Sequence, residues 1–164
     1  MTSKYPDVTI LVDTREQIPW KFSNYSTAKQ KLDTGDYTIS GFEDILAVER
    51  KKTVGEIANN ITEKRFKDVL ERMSEYKYPF FLLEFDMTKV LKFPIGSELP
   101  ERVWNKIKIS PNFLVKCILD WQLKYGINVL FCDNTHNAID IAEYIFKRVY
   151  YLELNDKEKR NETR

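Results

Sequence analysis

Two cysteines and a single histidine are too few for the disulfide frameworks and zinc sites that depend on those residues. Cys117 and Cys132 each sit in an otherwise apolar segment, as reduced thiols do in a cytosolic protein, and His136 has no CxxC or HxxxH companion. No apolar run approaches the ~20 residues that a membrane helix needs. The opening "MTSKYPDVTILVD" lacks the basic segment, apolar stretch and small-residue cleavage site of a secretory signal. The expectation is a soluble, cytoplasmic protein without membrane contact. Net charge is scarce too: 26 Lys and Arg against 25 Asp and Glu leave +1. The overall field therefore does not pull the molecule onto nucleic acid, and any such binding must come from local clusters. "RKK" at 50–52, "KRFK" at 64–67 and "KEKR" at 157–160 are those clusters, each of a kind that most often forms a solvated face.

What is present is a globular composition, 43% hydrophobic and 13% aromatic in 164 residues, with no internal repeat or low-complexity linker. That is room for one domain with a substantial core. "VTILV" at 8–12 reads as a buried strand ending in Asp13, and "TREQIPW" follows as a loop because Pro19 excludes a helix there. Segments 36–39 and 45–51 are strand-like around "SGFED" and predict a hairpin. From Thr53 the period changes, and Ile57, Ile61, Phe66, Val69, Leu70 and Met73 predict one amphipathic helix of about five turns. It opens with a capping box, Thr53 and Glu56. "PFFLLEF" at 79–85 is continuously apolar and predicts a strand covered on both faces.

Residues 86–109 carry a loop, "PIGSELP", and one or two helical turns in "ERVWNKI". Ser110-Pro111 opens a helix that stops at Gly126, "INVLFC" is a strand, and Thr135 caps a last helix through Tyr151. Trp121, Tyr144 and Tyr150 stand at core-packing positions, and His136 belongs to a helix start. The folded unit is expected over 1–152. The charged segment 153–164 has no apolar anchor and is expected to be disordered. Strands alternating with helices predict an α/β domain of three layers, a central mixed β-sheet flanked by helices.

Glu49 and Lys51 are two apart on a strand and so share a face, with Val48 and Arg50 on the other. If the hairpin pairs as expected, Asp36 folds back beside Glu49, and Asp13 at its own strand end is a third candidate carboxylate. Convergent carboxylates repel unless a cation neutralises them, and oxygen ligands favour Mg²⁺ or Mn²⁺. Such an ion polarises a phosphoryl oxygen, and a neighbouring lysine steadies developing charge. The pattern points to phosphodiester hydrolysis.

"VDTREQIPW" at 12–20, "LDTGDYTI" at 32–39, "AVERK" at 47–51 and "LLEFD" at 82–86 together resemble the XPF/Hef-type structure-specific DNA endonucleases, whose motif is GDx(n)ERKx(3)D. The resemblance implies the restriction-endonuclease-like PD-(D/E)xK fold and a metal-dependent endonuclease acting on branched DNA, such as flaps, forks or Holliday junctions, in repair, recombination or replication. "TREQ" and "SGFED" are most similar to small stand-alone versions in phages and bacteria, which implies a bacterial or phage-infected cytoplasm. The resemblance also implies Asp13, Glu16, Asp36, Glu49 and Lys51 as catalytic residues. Asp13, Asp36, Glu49 and the Arg50 carbonyl would surround magnesium or manganese, and Glu16 would orient water.

Arg15 and Arg50 match family arginines suited to phosphate or carboxylate. With Lys52, Lys64, Arg65 and Lys67 they form the expected DNA-binding set. Arg65 reads equally as an exposed helix residue paired with a carboxylate. Where the family motif has its last aspartate this chain has Gly55, so Glu56 either takes that place or only caps its helix. Glu84, interrupting an apolar strand, is either paired or near the metal, and both glutamates are assigned supporting roles. The resemblance also implies pairing through this domain, so a homodimer built on helices after residue 110 is a further expectation. The rival readings are a catalytically silent DNA- or partner-binding subunit and a PD-(D/E)xK nuclease for linear DNA. Retention of Asp13, Asp36, Glu49 and Lys51 favours an enzyme over the first.

Overall fold

Strand-forming β-branched and aromatic stretches give six strands, and the computed structural model describes residues 4–163. In chain order they are β1 (Thr9–Asp13), β2 (Ser26–Gln30), β3 (Tyr37–Ile39), β4 (Leu46–Lys51), β5 (Tyr78–Leu83) and β6 (Asn128–Phe131). They form one mixed sheet in the order β2-β1-β3-β4-β5-β6. β1 is parallel to β2 and antiparallel to β3, the predicted hairpin of β3 and β4 is antiparallel, and β5 and β6 continue in parallel. β2, "STAKQ", went unread because every residue of it is exposed at the sheet edge and none marks a buried face.

Alternation along the strands sends side chains into two cores. On one side Ala47, Phe81 and Leu83 pack against α1 (Val54–Asn60), α2 (Lys64–Met73), α3 (Met87–Leu91) and α4 (Pro111–Leu123). On the other, Ile10, Val12, Tyr37, Ile39, Leu46, Val48 and Leu82 meet α5 (Thr135–Glu162) and the loop residues Trp20 and Tyr25. This is the three-layer arrangement expected from the sequence. Trp121 is buried between Phe66 and Phe81, edge-on to both rings.

Four local expectations are corrected. The single helix from Thr53 is two helices, because the Thr62 hydroxyl donates to the Asn59 carbonyl at 2.8 Å and the chain turns there before α2 restarts at Lys64. The last helix is capped by Asn134, whose side chain accepts from the Asn137 N–H at 2.8 Å, and not by Thr135. It continues past Tyr151 to Glu162, so the segment expected to be disordered is helical as far as that residue. Lys77 holds it, reaching Glu153 at 2.5 Å and Asp156 at 3.4 Å, while the Tyr78 hydroxyl donates to Glu153 at 2.9 Å. Finally, Tyr144 is 58% exposed and does not pack in the core, whereas Tyr150 stacks on Phe42. Between α3 and α4 a short 3₁₀ turn spans Glu101–Lys106. Among the described residues no helix is long and apolar enough to cross a membrane, and both cysteines are free thiols.

Candidate active site

Asp36 lies between β1 and β4 because the residue before it is glycine. Gly35 has φ +81, and a side chain there would press on the Val48 backbone at 3.2 Å. That close approach lets the Asp36 carbonyl accept from the Asp13 N–H at 2.8 Å and its N–H donate to the Val48 carbonyl at 2.8 Å. The Asp36 Oδ2 accepts from the Arg50 N–H at 2.7 Å. By strand alternation Asp13, Asp36, Glu49 and Lys51 all stand on the sheet face shared with Ala47, toward α1, α2 and α4. Lys51 Nζ lies 3.3 Å from Glu49 Oε1 and 5.3 Å from the centre of the Phe66 ring.

These groups open on a cleft of two lobes, about 220 and 270 Å³. The first is bounded by the 33–36 loop with Asp13 and Asp36, the second by Lys51, Asn60, Glu63, Arg65, Phe66 and Asp68. Arg15, Glu49, Val69 and Arg72 line both and form the waist.

Burial, then repulsion from Glu49, pushes the Asp36 carboxyl well above the ordinary carboxylate range. Burial raises Glu49 too, and Lys51 only partly offsets it. Burial alone would lower the Lys51 ammonium, but Glu49, Glu56 and Asp36 outweigh it and keep the lysine charged. This desolvated, mutually repelling pair is a donor set that a hard divalent cation would relieve.

Asp13 behaves differently. Burial tends to raise it, but Arg15 Nε at 2.6 Å and the Leu32 N–H at 2.9 Å hold it below its ordinary value. Both its oxygens are already bonded to protein donors, so it anchors Arg15 and the loop at Leu32. Among the described residues no group of three His, Cys, Asp or Glu side chains stands arranged to hold a metal. Asp13, Asp36 and Glu49 nonetheless line one lobe together, and among the described residues Asp13 is the one of the three with both oxygens already bonded to protein donors.

Glu16, in the loop after β1, accepts from the Tyr37 hydroxyl at 3.2 Å and lies 3.5 Å from Arg50 Nη1. Glu56 receives the Lys52 N–H at 2.8 Å, while its own N–H donates to Thr53 Oγ1 at 3.1 Å, so it serves the start of α1. Glu84 is the buried partner of Arg50, at 2.5 and 3.3 Å.

Of the six cations expected to meet DNA, Arg50 is corrected. Its side chain is 6% exposed. Its donors are taken by Glu84, Glu16 and the Ile18 carbonyl, and it lies 5.1 Å over the Trp20 ring. Arg15 and Arg65 line the cleft and are 65% and 83% exposed. Arg65 is also paired with Glu63 at 2.6 Å. Lys67 lines a different groove, between α2 and α4. Lys52 and Lys64 are exposed and line neither lobe, although each adjoins a residue that does. Arg72 and Asn60 are among the cleft residues that the sequence reading did not single out. Arg72 falls two helical turns after Arg65, so the 3.6-residue period could have found it. Asn60, whose Oδ1 is buried without a partner among the described residues, carries no sequence signal.

The chain matches the ERCC4 domain over residues 12–146. It is 34% identical over 95 residues to the 3′-flap repair endonuclease Xpf of Saccharolobus solfataricus, a stretch covering 57% of this chain and 35% of that protein. The chain thus spans about a third of the length of that relative. Among solved structures, XPF from Aeropyrum pernix superposes with a TM-score of 0.64 at 20% identity, covering 92% of this chain and 69% of the other. XPF from Aeropyrum pernix in complex with DNA gives a TM-score of 0.61 at 19% identity, covering 89% and 66%. At those identities the likeness is one of fold.

Proposed function

The chain belongs to the ERCC4 domain family as an XPF/Hef-type nuclease domain, and from that membership and its acidic cleft we propose that it hydrolyses phosphodiester bonds in branched DNA. The observation that carries the proposal is the presence of Asp36, Glu49 and a charged Lys51 on one sheet face at the floor of an open cleft. The flap-repair name of one relative and the DNA complex of a structural neighbour support flaps, forks or junctions as the substrate class.

Asp36 and Glu49 would hold Mg²⁺ or Mn²⁺, with the Arg50 carbonyl as a further oxygen. Such an ion supplies charge for the phosphoryl oxygen and a bound water of lowered pKa. Lys51 brings a permanent positive charge to the phosphoryl oxygens as negative charge builds there. Glu16, held by Tyr37 and Arg50 and close enough to repel Asp36 and Glu49, would orient the water. Asp13 holds Arg15 at the cleft mouth, where its guanidinium can take a backbone phosphate. Arg65 does the same from α2 once it exchanges Glu63 for phosphate, and Lys52 adds charge nearby. Action in the cytoplasm fits the free thiols.

The test is cleavage of labelled flap, fork, four-way and linear DNA with Mg²⁺, Mn²⁺ or chelator. Branched substrates should be cut, chelator should stop the reaction, and Glu49→Gln and Lys51→Ala should each abolish it while the melting temperature holds. Full activity in either variant removes the assignment. Binding without cleavage by the wild type favours the silent subunit, and preference for linear duplex favours the other nuclease reading.

Self-association through α4 is part of the same proposal. That helix leaves Phe113, Leu119 and Leu123 exposed, the last at 81%.

A further inference from the structure

On α2 the residues Arg65, Asp68, Val69 and Arg72 face the cleft, whereas Phe66, Leu70 and Met73 are buried in the core beneath. The cations of this cleft are otherwise engaged: Arg15 with Asp13, Lys51 with Glu49 and Arg65 with Glu63. Arg72 differs. It is exposed, and Asp68 stands one turn earlier at the spacing that favours an ion pair. Even so, among the described residues its side chain has neither an ion pair nor a hydrogen bond. It lines both lobes, together with Glu49 and Arg15. An unpaired guanidinium beside an acidic pair has every N–H donor free, and a planar fork of donors suits the two oxygens of a backbone phosphate.

We propose that Arg72 is a phosphate-binding residue at the waist of the cleft, gripping the phosphate next to the one that Glu49 and Lys51 face. The inference rests on the nuclease reading above and deepens it, since it names how the strand is held in register across the two lobes. Lys67, on the opposite flank of the same helix, has no such access.

Binding is measured by fluorescence anisotropy on a labelled fork without divalent metal, between about 50 and 200 mM salt. Cleavage is measured separately with Mg²⁺. Arg72→Ala should weaken binding about tenfold and reduce the slope of log affinity against log salt by about 0.9. It should raise KM and leave kcat in place, because a neighbouring phosphate is held alike in ground and transition states. Arg72→Lys should restore the slope but not the whole affinity, since an ammonium keeps the charge and loses the fork. Arg148→Ala, an exposed change on α5 across the sheet, serves as the control. Unchanged affinity and slope in Arg72→Ala, with a wild type that cleaves, overturn the contact and leave the nuclease reading intact. An Arg72-dependent slope in a wild type that does not cleave does the reverse. A wild type that neither binds nor cleaves removes both.

Discussion

Glu49, Arg50 and Lys51 are consecutive, yet the middle one works on the opposite side of the sheet. Strand alternation turns Glu49 and Lys51 to the cleft and Arg50 to the second core, where Glu84 meets it with both oxygens. The same alternation, visible in the sequence, placed Glu49 with Lys51. It could not show that the arginine would be covered, because its partners Glu84, Glu16 and Ile18 lie 32 and more residues away. With side chains 6% and 2% exposed, this pair is a buried one. Arg50→Ala should therefore cost about 3–5 kcal/mol in urea denaturation, since Glu84 is left charged and unpaired. Arg50→Met with Glu84→Leu should cost clearly less than Arg50→Ala, as a buried pair replaced by apolar groups removes both charges together. Equal losses in the two variants would show that Arg50 acts by packing on Trp20 and not by charge.

Among the elements, α5 departs furthest from its sequence signal. Residues 153–162 offer charges and good helix formers but no apolar stripe, which is why disorder was the natural expectation. They are helical because Glu153 and Asp156 find Lys77 at the start of β5, a partner more than seventy positions away. Lys77 holds the Glu153 carboxyl below its ordinary value of 4.5. A group so depressed stabilises the folded form above its unfolded pKa and loses that contribution as pH falls through the folded value. Amide protection across 153–162, measured against intrinsic exchange at each pH, should accordingly fall as pH drops below about 4.5, well before that of the sheet amides. Lys77→Ala should produce the same local opening at neutral pH. Protection that is indifferent to both changes would mean that helix propensity alone holds the segment. The break between α1 and α2 has a visible cue, because Ile61 and Phe66 are five apart and a continuous stripe would have needed three or four.

For the whole molecule, a net charge of +1 means that attraction to a polyanion must be confined to the cleft. The exposed Phe113, Leu119 and Leu123 of α4 give the other surface expectation. Sedimentation velocity at micromolar concentration should detect a dimer, and Leu123→Glu should return it to monomer without lowering the melting temperature. A wild-type monomer rejects pairing through this face. The layered α/β architecture, the β3–β4 hairpin and the shared face of Glu49 and Lys51 were all legible from the chain alone. Each depends on neighbours in sequence, a period of two or of 3.6 and a glycine at the required turn. What only tertiary structure decided was which charges find partners. Asp13 met the Leu32 N–H, Arg50 went to Glu84 and, among the described residues, Arg72 was left free, because long-range packing selects which distant groups meet and local periodicity carries no record of that selection.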